Sequence, residues 1–357
     1  LNILFNNTLM RAAFITGVSG QDGSYLSELL LNKGYTVYGL TRYCSEVKHE
    51  RITDTKKHAS FTLVYGDLTD TARLTNIINS LTEYDRIEVY NLGAQSHVKV
   101  SFDQPEYTAN VDAIGTLRLL EAIRQSDHKS KFRFYQAGTS EMFGKVQETP
   151  QTENTPFYPR SPYGVSKLFA YWMTKNYRES YKLFACTGIL FNHESERRGE
   201  EFVTRKVTKG LVNWIRTSQP LELGNLDAKR DWGHAEDYVE AMWRMLQTDE
   251  PEDFVIATGE THSIRDFIEE CCNYIGRKIV WEGEGVDEVG RDFITHEVIV
   301  KVNPEFFRPA EVDILIGDYS HARDKLGWSP STSFKQLVQR MLESDQKAAG
   351  DNLVKVL

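Results

Sequence analysis

Along the first two hundred positions, apolar residues come in short runs, each followed by glycine or polar residues and then by apolar residues at helical spacing. The first run, Ala12-Ala13-Phe14-Ile15, leads through Gly17-Val18-Ser19-Gly20-Gln21-Asp22-Gly23 into Tyr25-Leu26-Ser27-Glu28-Leu29-Leu30-Leu31, which predicts strand, glycine turn and helix. Gly34 ends that helix and Thr36–Leu40 supplies the next strand, completing a βαβ unit. Further strands are predicted at Phe61–Tyr65, Ile87–Tyr90, Phe132–Tyr135 and Cys186–Phe191, with helical segments between them. Such alternation predicts an α/β fold, a doubly wound parallel sheet of the Rossmann type. After residue 200 the pattern loosens, with short strands at Leu221–Leu223 and Phe254–Ile256 and helices near 236–247, 263–274 and 332–345. We therefore expect residues 10–200 to form mainly a cofactor-binding domain. Residues 201–350 should form mainly a smaller mixed α/β substrate-binding lobe, interleaved with the end of the sheet.

The polar clusters at 17–23, 41–45, 66–70, 92–97, 137–141 and 192–198 each follow a predicted strand. Parallel sheets bind ligands at the C-terminal edge of their strands, so these clusters are the candidate site. A net charge of −9 and a pI near 5.6 argue against a nucleic-acid partner, which would call for a basic face. Cys44, Cys186, Cys271 and Cys272 form no CxxC pair and have no His at ligand spacing, so no metal is expected. That cysteine usage fits a reducing, cytoplasmic setting. No apolar run approaches the roughly 18 residues of a membrane span. Leu1–Asn7 lack a secretory layout, and Met10 reads as the native start.

Gly17, Gly20 and Gly23 stand between the first strand and the first helix, where glycine lets a dinucleotide pyrophosphate approach the helix N-terminus. Just past the second strand, where an NAD site carries Asp or Glu, the chain has Thr41-Arg42-Tyr43. An Arg there suits a 2′-phosphate and favours NADP. Tyr163 and Lys167, at i and i+4 on one helix face, place an ammonium near a phenol and make that phenol a usable base. The same spacing recurs at Tyr171/Lys175 and Tyr274/Lys278. Chain order favours the first pair, because it follows the loop after the fifth strand, where Thr139 and Glu141 lie. A hydroxyl, a phenol with its lysine and a carboxylate suit a reaction that oxidises an alcohol, removes the acidified neighbouring proton and expels a leaving group.

Longer runs then carry a family resemblance. They are Ile15-Thr16-Gly17 with Gly20–Leu26, Asn91–Val98, Pro156–Tyr163, Gly188–Ser195, Phe202–Lys206, Gly224–His234 and Phe307–Asp313. From about residue 11 to 345 the chain resembles the GDP-mannose 4,6-dehydratases, a family of extended short-chain dehydrogenase/reductases. The resemblance implies that Thr139, Glu141, Tyr163 and Lys167 are catalytic. It implies that the Tyr accepts the 4-hydroxyl proton while hydride passes to NADP+, that the Glu removes the proton at carbon 5, and that water leaves from carbon 6 before the hydride returns there. It implies cofactor contacts from Gly17, Gly20, Gln21, Asp22, Gly23, Arg42, Asp67, Leu68, Leu92, Gly93, Ala94, Gln95, Ser96, Tyr107, Tyr163, Lys167, His193 and Arg198. It also implies substrate contacts from Ser96, Asn192, Lys206, Arg230, Arg308 and Glu311. Two guanidiniums suit the two phosphate charges of a nucleotide sugar.

The chain departs from the family pattern at Tyr43-Cys44-Ser45-Glu46-Val47, a loop that in relatives meets the 2′-phosphate and can reach a neighbouring subunit. Gly138 and Glu196 replace a usual Ser and Pro. An NADPH-dependent keto-sugar reductase would use the same Tyr/Lys pair without needing Glu141, and a bifunctional enzyme or a non-catalytic dinucleotide binder are the other readings. Large apolar residues Leu168, Phe169, Tyr171, Trp172, Met173 and Tyr177 exceed what one sheet-facing stripe needs and point to a homodimer or homotetramer.

Overall fold

A computed structural model of the chain describes residues 9–45, 49–306 and 314–350. These fall into two compact units. The first comprises the residues up to Met142 with Pro162–Ile189 and Val239–Phe254; the second comprises Phe143–Ser161, Leu190–Tyr238 and the residues from Val255 onward. The sequence reading puts the change at residue 200. In the structure Leu190–Tyr238 groups with the second unit, and Val239–Phe254 returns to the first.

In the first unit, strands form where the apolar runs predict them: β1 (Arg11–Thr16), β2 (Thr36–Thr41), β3 (Phe61–Tyr65), β4 (Arg86–Asn91), β5 (Phe132–Ala137) and β6 (Phe184–Leu190). All five pairings among them are parallel. The order across the sheet is Phe254–Ile256, β6, β5, β4, β1, β2, β3, so the winding direction reverses between β1 and β4. That reversal is the crevice where doubly wound sheets take ligands. Burial on both faces explains the near-continuous apolar strands: Ala12, Ala13, Phe14 and Ile15 have no exposed surface. Helices Thr71–Ser80, Gly115–Gln125 and Pro162–Tyr181 supply Leu74, Ile78, Leu119, Ile123 and Tyr177 to a core with Phe14, Val89 and Phe134.

A single π-helical turn, Ala109–Ile114, sits between the short Pro105–Thr108 helix and the Gly115–Gln125 helix, and it packs against the Pro162–Tyr181 helix. Its residues lie in a stretch whose sequence predicts only a helix.

The second unit holds a four-stranded sheet in the order Ile279–Glu282, Val289–Asp292, Val298–Val302, Leu221–Leu223. Its first three strands run antiparallel in turn, and Leu221–Leu223 joins in parallel. Helices Val203–Thr217, Ile264–Tyr274 and Phe334–Ala348 give Val207, Leu211, Phe267, Ile268, Leu337 and Met341 to one core with Trp232, Ile299 and Val300. No helix among the described residues is long and apolar enough to cross a membrane.

Candidate active site

The glycine turn is built by steric necessity. Gly17 has φ +69°, and a Cβ there would stand 2.9 Å from Gly93 Cα. A Cβ on Gly23 would stand 2.4 Å from the Gly17 carbonyl oxygen and 2.6 Å from Val18 Cα, so only glycine lets the helix start this close to the strand. Gly20 caps the Gln21–Asn32 helix without a side-chain acceptor, and its own N–H closes the turn on Gly17 O at 2.9 Å. A helix N-terminus without a side-chain cap, reached through a glycine turn, is the arrangement that accepts a phosphate. Gln21 Nε2 donates to Asp22 Oδ1 at 3.0 Å, fixing the second of these residues by the first.

Around the turn, the other expected cofactor positions are held by their own bonds. Gly93 N donates to Thr16 Oγ1 at 2.9 Å, which pins the Leu92–Ser96 loop to the end of β1. The Gln95 side chain folds back, donating to Thr108 Oγ1 and His97 O while accepting from His97 N at 2.8 Å. Ala94 is half-buried and Ser96 is exposed. Asp67 Oδ1 accepts from both Thr69 N and Thr69 Oγ1 at 2.8 Å, and Leu68 is buried with its carbonyl accepting from Arg118. Arg42 and Tyr107, 65 residues apart, are joined by a 2.5 Å bond from Nη1 to the phenol oxygen. Arg51 donates to Ser19 O at 3.4 Å, a second guanidinium at this end of the turn that sequence spacing does not single out.

β5 and the Pro162–Tyr181 helix position the reactive groups. β5 ends at Ala137, and the short 3₁₀ turn Ser140–Met142 follows directly. Thr139 and Glu141 are both buried there, and the Glu141 N–H donates to Thr139 Oγ1 at 3.2 Å. Because that oxygen accepts from the backbone, its own hydrogen points elsewhere. Tyr163 sits in the first turn of the helix and is buried, with Lys167 one turn on. Lys167 Nζ lies 5.8 Å from the Tyr163 ring centre and donates to Ala137 O at 3.0 Å. That bond ties the helix to the end of β5, two residues before Thr139, and the helix also packs on the Ser140–Met142 turn, so all four expected catalytic residues lie on contacting elements of the first unit.

The rival pairs separate cleanly. Tyr171 is buried against Trp172 while Lys175 covers that indole at 5.4 Å, a packing arrangement. Tyr274 is the last residue of its helix, leaving Lys278 outside it.

Behind the cluster runs a ladder of buried amides and hydroxyls that the sequence reading does not anticipate. Thr16 Oγ1 donates to Asn91 Oδ1 at 2.7 Å, Asn91 Nδ2 donates to Gln136 Oε1 at 2.8 Å, and Gln136 Nε2 donates to Ala137 O at 3.0 Å. The signal in the sequence is a polar residue at or next to the last position of each of three strands, Thr16, Asn91 and Gln136. Burial drives the Lys167 ammonium below its ordinary range, and Asp112 and Asp22 oppose that effect with their negative charge.

In the second unit, Asn192–Glu194 pairs in parallel with Trp232–His234. His193 Nδ1 meets Phe191 O at 2.8 Å, and its ring stacks on Tyr238 at 4.5 Å. Arg198 is paired with the buried Glu194 at 2.9 Å and lies over the Phe202 ring. Lys206 lies 3.5 Å from the Phe306 ring centre, and Arg230 is buried with Nη1 on Lys229 O. Next to it, the buried Asp231 accepts from Thr258 N, Thr258 Oγ1 and Gly259 N, which fixes the strand that carries Arg230. Arg308 and Glu311 lie outside the described residues.

Glu196 accepts from Arg340 at 2.7 Å and meets His234 at 3.2 Å, so at this position a carboxylate links the loop to the Phe334–Ala348 helix. At Gly138 a Cβ would come within 2.8 Å of Gly188 O, so the turn as built has no room for a side chain.

Residues 14–341 match the family described as GDP-mannose 4,6 dehydratase. The Drosophila melanogaster protein of that name is 55% identical over 342 residues, covering 94% of this chain and 86% of its own length. The Homo sapiens protein is 56% identical over 340 residues, covering 93% and 91%. Among solved structures, dTDP-glucose 4,6-dehydratase from Bacillus anthracis, in complex with NAD, superposes with a TM-score of 0.77. It covers 95% of this chain and 98% of its own at 19% identity, which speaks for the fold alone. With the glycine turn, the Tyr/Lys pair and the carboxylate turn all in place, the chain belongs to the GDP-mannose 4,6-dehydratase family.

Proposed function

We propose that this chain is a hydro-lyase that converts GDP-D-mannose to GDP-4-keto-6-deoxy-D-mannose and water. The observation that carries the reading is the buried Thr139–Glu141 turn set on the strand end that Lys167 grips, because a carboxylate beside a Tyr/Lys pair is what separates elimination from simple reduction. The glycine turn fits a dinucleotide, since it leads into a helix N-terminus with no side-chain cap through a space that a single Cβ would close. Gly17, Gly20, Gln21, Asp22 and Gly23 would hold the pyrophosphate, and Arg42 would meet the adenosine 2′-phosphate. When bound, NADP+ would supply the acceptor for the hydride of carbon 4 and the donor of that hydride to carbon 6.

Tyr163, kept reactive by the Lys167 ammonium, takes the proton from the sugar 4-hydroxyl. Thr139 donates its hydrogen to the developing 4-ketone and holds the sugar in place. The ketone acidifies carbon 5, and Glu141 removes that proton. The same proton leaves with the carbon 6 hydroxyl as water, and the proton held by Tyr163 is delivered to carbon 5. In the second unit, Asn192, Lys206 and Arg230 would recognise the GDP portion, with Arg308 and Glu311 as further expected contacts, and His193 and Arg198 are expected cofactor contacts. We read the protein as a cytoplasmic homo-oligomer, with exposed Val165, Phe169 and Trp172 on the Pro162–Tyr181 helix as the surface that pairs.

In heavy water with GDP-mannose and only trace NADP+, the product should be a 4-keto-6-deoxy sugar carrying deuterium at carbon 5. A requirement for stoichiometric NADPH would overturn the reading in favour of a keto-sugar reductase.

A further inference from the structure

Asp112 has no task in the steps above, yet it stands closer to the chemistry than its chain position suggests. It lies on the π-helical turn Ala109–Ile114, a distortion found often at functional sites because the extra residue re-aims a side chain. Its Oδ1 accepts the Gln95 N–H at 2.7 Å, and its main-chain carbonyl accepts from Thr116 Oγ1 at 2.9 Å. Its Oδ2 is buried and has no hydrogen-bond partner. An orphaned carboxylate oxygen at such depth is unfavourable unless a positive charge or a water answers it. Burial pushes the Asp112 carboxyl up to about 6, and the Lys167 charge and the Gln95 N–H act against that rise.

Lys167 is the complementary group. Its ammonium is buried and has three hydrogens, of which one bond, to Ala137 O, is made at 3.0 Å. The groups facing it are Asp112 from the π-helical turn, Asp22 from the first helix and Tyr163 from its own helix. Asp112 Oδ2 has no partner, so the two charges do not touch directly, and both have hydrogen-bonding capacity left over.

We propose that Asp112 is a positioning residue for this reaction, its unpaired Oδ2 holding one water against the Lys167 ammonium so that the lysine stays charged beside Tyr163. The idea rests on the roles given above to Tyr163 and Lys167. Asp112→Asn keeps an acceptor for the Gln95 N–H and removes only the charge. Without that charge the lysine loses its proton more readily, so the alkaline limb of the kcat/KM profile should move to lower pH by about one unit. Asp112→Glu should hold the limb near its wild-type position. A limb that stays put in Asp112→Asn, with activity lowered equally at every pH, overturns the inference. Full activity in Lys167→Met would instead sink the roles of Tyr163 and Lys167, so the two failures are distinct. A crystal structure of the wild-type enzyme with NADP+ gives a check that does not depend on any variant folding. A water within hydrogen-bond distance of both Asp112 Oδ2 and Lys167 Nζ is expected there, and its absence likewise overturns the inference.

Discussion

Lys167→Met offers a test of the reactive cluster whose size follows from the geometry. Methionine fills most of the buried volume of the lysine stem and removes only the charge and the bond to Ala137 O. The ammonium stands 5.8 Å from the centre of the Tyr163 ring. At an effective dielectric constant of about 20, opposite charges at that separation attract by about 3 kcal/mol. The attraction exists only while Tyr163 is ionised, so its loss lowers the ionised fraction about a hundredfold at neutral pH. The assay is kcat/KM for GDP-mannose across a pH series with saturating NADP+. A loss of about a hundredfold near neutrality is expected, recovered by about tenfold for each unit that the pH is raised. The slope is the diagnostic part, because a lysine that merely props up the fold would lower the rate equally at every pH. A flat loss, or none, refutes the reasoning.

Glu141→Gln keeps the shape of the buried turn and removes the base. It should cut water elimination by about a hundredfold or more while NADP binding, followed by fluorescence titration, is retained; full turnover would refute the assignment. Gly23→Ala places a Cβ 2.4 Å from the Gly17 carbonyl oxygen, and both atoms belong to the turn itself. A loss of about 1–3 kcal/mol in stability is expected, together with disappearance of the rise in Tm that NADP gives the parent enzyme; an unchanged NADP-induced shift would show that the turn does not hold the dinucleotide.

Much of the first unit was legible in the chain because a strand buried on both faces writes itself as an apolar run. Ala12 to Ile15 and Ile87 to Tyr90 are strands for that reason, and the glycines between β1 and the first helix announce a turn that a Cβ would close. β4 was legible despite Glu88, whose carboxylate is fully buried and would read as exposed from its type. Tyr90 on the same strand donates to it, Arg86, also on β4, lies 2.9 Å away, and Tyr35, just before β2, donates as well; the first two partners sit two residues to either side, and only Tyr35 leaves no local trace. The π-helical turn was not legible, since Ala109–Ile114 has ordinary helix composition and its geometry follows from packing on the Pro162–Tyr181 helix. The meander of the second unit was missed because its strands are short and half-exposed, with Gly283, Gly285 and Gly290 breaking any period. The Tyr/Lys pair could be chosen among three only through chain order. Its bond to Ala137 O gives that choice its physical basis, whereas Lys175 covers the Trp172 ring and Lys278 lies beyond the end of its helix.

The buried ladder from Thr16 through Asn91 and Gln136 to Ala137 O has a handedness of its own. Each amide presents its oxygen to one neighbour and its nitrogen to the next, so a single flip would set acceptor against acceptor on one side and donor against donor on the other. Since the Gly93 N–H enters at one end and the Lys167 ammonium at the other, the series acts as a polarised rail with one permitted direction. The glycine turn and the Lys167 end of the ladder are therefore joined through every rung between them. Replacing any rung should disturb the bonds at both ends of the ladder.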